Sequence, residues 1–221
     1  MIECFNFKGI PSTTLGVLMS DEWIYTKATQ GYESIEIEGK DGAIITPTGF
    51  KLVERNVECT LLNRKRLNDV IAWLTGTGVL EFEGRYRKAS VFGEINYNVL
   101  GFQKNKFTIP FIMDPFWYKK DGYIAYEDGD VIENDGNYAA VPLIQISGTG
   151  NGVVTVGGVD IQVFDLKEGE TIEIDCLEMN ENMPKKVGLG FEYPRLMSGK
   201  NDIAIKGNFV LKIKRKDRWL G

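Results

Sequence analysis

The sequence contains no histidine. This excludes Ser-His-Asp and Cys-His nucleophilic catalysis, most zinc sites and imidazole-based pH switching. Cysteine is scarce. Cys4, Cys59 and Cys176 form no CxxC pair and make an odd set, so each is expected in a strand as a small buried hydrophobe. No apolar run approaches the roughly 18 residues of a membrane helix. The N-terminus carries Glu3 and no apolar h-region, so no secretory signal is expected. Charge of one sign is also lacking: the net charge is −5 with a pI near 5.0, which gives no global field for nucleic acid.

What is present suits a packed β protein. The chain has 221 residues, 43% of them hydrophobic and 26% charged, enough for one large or two ordinary domains. Its 25 glycines are dispersed between short apolar stretches, as many tight turns require.

Period-two alternation marks the strands. Ile35 and Ile37 share one face of Ser34–Glu38, and Glu36 and Glu38 the other. Val53, Val57, Cys59 and Leu61 alternate with polar neighbours, and Arg55 interrupts their face, which marks either a bulge or a polar contact. Leu80 with Phe82, Ile95 with Tyr97 and Val99, and Phe107 with Ile109 and Phe111 continue the pattern. Between residues 64 and 75, Leu67, Val70, Ile71 and Leu74 instead recur at helical spacing, with Asn63 as N-cap and Gly76 after the last turn. Downstream, Ile144/Ile146, Val154/Val156, Val159/Ile161/Val163, Ile172/Ile174/Cys176 and Phe209/Leu211/Ile213 alternate, with turns at Gly157-Gly158 and Lys167–Gly169. Short, evenly spaced strands of this kind imply a β-sandwich. The change of character from Asp114 to Asn137 sets the expected domain boundary near residue 130, giving domains 1–130 and 131–221.

No constellation in the sequence carries catalysis, a metal or a cofactor. Gly148, Gly150 and Gly152 lack the spacing of a dinucleotide loop and precede a strand, so they read as a hairpin turn. Glu168, Glu170, Glu173, Asp175, Glu178 and Glu181 read as a solvated face, since Glu173 and Asp175 alternate with Ile172 and Ile174. Glu127, Asp128, Asp130, Glu133 and Asp135 do not fit a calcium loop and read as an exposed polar linker. Lys212, Lys214, Arg215, Lys216 and Arg218 make a basic edge suited to edge protection or a subunit contact. Phe116, Trp117, Tyr118, Tyr123 and Tyr126 suit an inter-domain plug, a protein interface or a sugar platform.

The order of these features resembles that of the distal tail proteins (Dit) of long-tailed bacteriophages and prophages. The resemblance rests on Phe5-Asn-Phe-Lys-Gly9 with Ser12 and Leu15-Gly16, the Gly39–Gly42 turn, the helix, and Asp114-Pro-Phe-Trp117. Further along it rests on Asn134–Asn137 leading to Pro142-Leu-Ile, Ile174-Asp175, Pro194-Arg-Leu, Gly199-Lys-Asn201 and Arg218-Trp219. It implies a mainly β chain: an N-terminal β-sandwich or split-barrel-like domain with one α-helix, and a C-terminal galectin-like β-sandwich without inserted carbohydrate-binding modules. It further implies a homo-oligomer, a hexameric ring at the virion tail tip, made in the host cytoplasm. Its partners would be the tail tube protein, the tape-measure protein and a tail-associated adhesion or lysin hub, with neither nucleic acid nor membrane. Ring contacts are expected near Ser34–Glu38 and the loop after Gly39. A tail-tube or tube-completion subunit and a carbohydrate-binding adhesin are the alternatives; an enzyme is not expected.

Overall fold

The structure, a computed structural model, describes residues 4–20, 22–97, 105–190 and 192–221. The chain forms two compact units, Met1–Trp117 with Leu220–Gly221, and Tyr118–Trp219. The division falls ahead of the expected place near residue 130. Residues on either side of the acidic turn at 127–130 are strand and pair with Gly199–Lys214, within the second unit.

The first unit contains β1 (Asn6–Phe7), β2 (Ile10–Pro11), β3 (Val17–Met19), β4 (Gln30–Glu36), β5 (Ala43–Phe50), β6 (Val53–Leu61), α1 (Leu67–Leu74), β7 (Gly76–Phe82), β8 (Arg85–Val91) and β9 (Asn105–Met113); β10 (Phe116–Lys119) carries the division. Its main sheet runs β2-β1-β7-β8-β9-β6-β3, antiparallel throughout. The alternation expected for β6 and β9 holds: Val53, Val57, Cys59, Leu61, Phe107, Ile109 and Phe111 are all buried. By contrast, Ile95 lies outside any strand, Tyr97 makes one bridge to Phe107, and Val99 is outside the described residues.

The helix forms where expected, with a phase correction. Asn63 accepts a hydrogen bond from the Lys65 amide at 3.0 Å, and residues Arg64–Arg66 are a 3-10 turn before α1 begins. The buried side chains are Val70, Trp73 and Leu74, while Ile71 is exposed. Trp73 stacks on Phe5 with centroids 5.7 Å apart and donates from its indole to the Phe7 carbonyl at 2.8 Å. Gly76, with φ of 89°, follows the helix and starts β7.

The second unit contains β11 (Ile124–Tyr126), β12 (Val131–Asn134), β13 (Leu143–Val156), β14 (Val159–Leu166), β15 (Thr171–Asp175), β16 (Asn180–Glu181), β17 (Val187–Leu189) and β18 (Gly199–Lys214), and β19 (Arg218–Leu220) carries the division as β10 does. Two long strands organise it. β13 and β18 pair along their length, and the other edge of β13 takes β15 on its first half and β14 on its second. β18 likewise takes β12 and β11 on its two halves. The sheet thereby curls around one core that includes Ile144, Ile146, Val154, Ile161, Ile174 and Leu211.

The curl corrects the reading of Gly148–Gly152 as a hairpin turn. These glycines lie inside β13, where the register against β18 shifts between Thr149 and Val153. A Cβ on Gly148 would sit 2.1 Å from the Asn208 carbonyl oxygen, and one on Gly152 2.0 Å from that of Lys206. Glycine serves here for close strand approach at a bend. The Gly157-Gly158 turn does form, with φ of 57° and 82°, and joins β13 to β14 in the left-handed geometry two-residue hairpins favour.

Candidate assembly interface

The strongest surface feature is β4–β5, a two-stranded sheet separate from the others. In its register Glu33 faces Thr46 and Ile35 faces Ile44 on one side, while Tyr32 faces Pro47 and Ser34 faces Ile45 on the other. Apolar side chains therefore line both faces. Tyr32 is 67% exposed, Ile35 61% and Ile45 65%. The base is fixed: Lys51 donates its amide to the Thr29 carbonyl at 2.8 Å, and Phe50 makes an edge contact with Phe116 at 5.3 Å. At the tip, Gly39 and Gly42 adopt φ of 81° and 87°, and the Lys40 amide closes a turn on the Ile37 carbonyl at 3.1 Å. An isolated two-stranded hairpin is marginal in water, and exposed apolar clusters of this kind mark interfaces. The alternation of Ile35 and Ile37 is visible in sequence. The partner strand is not, because Pro47 and Gly49 interrupt the pattern of β5.

The aromatics from Phe116 to Tyr126 are not gathered in one place. Phe116 and Trp117 are buried in the first unit, and Tyr126 packs against the core of the second. Trp117 lies under the Arg87 guanidinium, and Trp23, at 5.9 Å from Trp117, lies under that of Arg55 at 4.5 Å. Arg55 also donates to the carbonyls of Ile24 and Glu22. Its place in β6 is a polar contact, not a bulge, since the pairing with β9 runs without a shift.

The charged stretches are absorbed by the fold. The expected polar linker is instead the turn between β11 and β12 together with β12 itself, which pairs with β18. Asp128 accepts the Ile205 amide and Asp130 the Glu127 amide, each at 2.7 Å. The basic tail is no open edge either, because β18 lies between β13 and β11/β12. Arg215 pairs with Asp217 at 3.0 Å and Asp135 at 3.6 Å, Lys216 approaches Asp175 at 3.7 Å, and Arg218 is buried over the Tyr138 ring.

Four of the six carboxylates weighed for hydrolysis have structural work. Glu173 accepts from Gln145 at 2.8 Å, Asp175 caps the Leu177 and Glu178 amides, and Glu170 pairs with Lys186. Glu181 accepts from Tyr193 at 2.6 Å, and that bond raises the phenol to about 12. Tyr193 also packs, partly buried, against the core of the second unit. Among the described residues no cluster of acids and thiols has metal-binding geometry. An open groove of about 600 Å³ in the first unit is lined by Trp23, Ile24, Arg55 and Val57, and one of about 530 Å³ in the second by Asp160, Gln162, Gly188 and Glu192.

No family model matches the sequence, and no curated protein matches it. Solved structures do. The crystal structure of the Dit protein of phage SPP1, described as a paradigm of the hub adsorption apparatus in phages infecting Gram-positive bacteria, aligns with a TM-score of 0.71 at 13% identity. The alignment covers 97% of this chain and 99% of that one. Two chains from the phage P2 baseplate in its activated conformation, with Ca and with Sr, align over 98% of this chain and 99% of theirs at 11% identity. Their TM-scores are 0.39 and 0.35, so the fold assignment rests on the first match. The chain has the Dit fold.

Proposed function

We propose that this chain is a structural component of the baseplate of a long-tailed phage or prophage. Six copies form a distal tail ring that joins the tail tube and the tape-measure end to the host-adhesion apparatus. The supporting observation is the fold likeness to SPP1 Dit across nearly the whole of both chains. Fold alone does not fix function. The two-faced apolar hairpin of the first unit adds a surface that needs a partner.

In this role the first unit forms the ring and the second faces the partner proteins, consistent with a division of labour between independently packed units. The alternatives differ in measurable ways. Light scattering coupled to size exclusion gives a species six times the 24.9 kDa of one chain, with no growth as concentration rises. A tube subunit would polymerise further, and an adhesin would bind host cells or wall polysaccharide as a monomer. Labelling of the chain along the tail shaft instead of at its tip would overturn the assignment.

A further inference from the structure

The β4–β5 hairpin and a second patch of the first unit are chemically complementary. Between Gln30 and Phe50 the sequence holds Glu33, Glu36, Glu38 and Asp41 against the single cation Lys40. Elsewhere on the unit's surface, Arg64, Lys65 and Arg66 are consecutive and exposed, and Leu62 just before them is 63% exposed. Among the described residues no ion pair involves Arg64 or Lys65.

The position of that basic turn is unfavourable for the isolated chain. It enters α1 at the end where backbone dipoles already place partial positive charge, and Asp69 is the only acid of the helix's first turn. An acidic surface brought there from outside relieves the repulsion. The hairpin has the acids, and it has apolar side chains on both faces that the rest of the unit leaves uncovered.

We infer that the hairpin of one copy docks on the Arg64–Arg66 turn and Leu62 of the next copy. This rests on the ring reading above and names its contact. Donor and receiver are different surfaces of the same unit, so each copy gives one and takes one. Such a head-to-tail contact closes into a ring when the rotation per copy divides a full turn. The charges set register and orientation, and burial of Tyr32 and Ile45, which share one face, adds apolar area to the contact.

The test is charge reversal on the full chain, read as oligomeric state by light scattering. Two double variants, Glu33→Lys with Glu36→Lys and Arg64→Glu with Lys65→Glu, each weaken assembly by about tenfold or more. All four reversals together restore it. These positions are exposed, and circular dichroism checks that each variant folds. If the wild type assembles and neither reversal weakens it, the contact is wrong while the ring stands. The contact is equally wrong if Ile45→Ser breaks the ring and the charge reversals do not, since the hairpin then meets another surface. A wild-type chain that stays monomeric at every concentration overturns the ring and the contact together.

Discussion

The guanidinium of Arg87 lies over the indole of Trp117, 4.1 Å from the ring centroid. Arg87 is 3% exposed and donates to the Asp114 carbonyl at 3.2 Å. Burial, reinforced by Arg55, lowers its guanidinium to about 10, so it stays charged at neutral pH. With Trp23 at 5.9 Å from Trp117 and Arg55 over Trp23, the two rings meet edge to face and each carries a guanidinium. Residues 114–117 thus serve the packing of the first unit.

That stack gives an ordered pair of effects. Trp117→Ala removes a buried aromatic and costs about 3–5 kcal/mol. Arg87→Lys keeps the charge but loses the planar face and costs about 1–2 kcal/mol. Three of the four tryptophans, Trp23, Trp73 and Trp117, lie in the first unit and Trp219 in the second, so denaturant unfolding followed by tryptophan fluorescence in a Trp219→Phe background reports on the first unit. Wild-type stability in Arg87→Lys would show that the stack contributes nothing beyond packing.

The bend of β13 separates two kinds of glycine. Gly148 and Gly152 face carbonyl oxygens of β18 at distances no Cβ tolerates, and backbone must shift to admit one. Alanine at either position is expected to cost more than about 3 kcal/mol. Gly150 has φ of 90° and open space around it, so Gly150→Ala carries only the conformational cost, about 1–2 kcal/mol. Thermal unfolding of the three variants checks this. Equal losses at all three would mean that the close approach does not govern the bend.

Much of the fold is legible in the sequence because burial imposes period two. Ile144, Ile146, Val154, Ile161, Val163, Ile172 and Ile174 alternate in sequence and are buried. Where the pattern misleads, tertiary contact has overruled a local signal. Gly148–Gly152 carries turn composition, yet its glycines answer to a neighbouring strand. Trp73 takes the place expected of Ile71 because it stands three residues after Val70 and packs on Phe5. Cys4, expected in a strand, precedes β1 and is exposed. The hairpin is half visible: one strand alternates, but two-sided exposure is a property of the folded unit.

Asp217 sets a pH dependence for the second unit. Its side chain is 2% exposed, 3.0 Å from Arg215. Burial raises its pKa; Arg215 and a backbone hydrogen bond with Asp135 oppose the rise, and the Asp135 and Asp121 charges add to it. A carboxyl raised on folding favours the native state while it is protonated. That stabilisation is complete below the unfolded value and is lost as pH rises through the folded one. Asp217→Asn mimics the protonated form, so it melts higher than wild type at neutral pH. The gap narrows as pH falls through the raised value. A gap of opposite sign at pH 7 would mean that the Arg215 pairing outweighs burial.

The thiols separate by environment. Burial pushes Cys59 and Cys176 each up to about 12, and both lie within the cores of their units. The thiolate is the reactive form, so at pH 8 these two are both neutral and inaccessible. Cys4 is exposed. Iodoacetamide should therefore place one adduct on the native chain, at Cys4, and three after denaturation, as mass spectrometry would count. Because Cys59 and Cys176 react only when their units open, their labelling rates measure opening of the first and second units separately. Labelling of either at the rate of Cys4 in native buffer would contradict its burial. Assembly through the hairpin adds a linked effect: if the ring stabilises the first unit, Cys59 labels more slowly at high protein concentration. The charge-reversed variants should lose that concentration dependence.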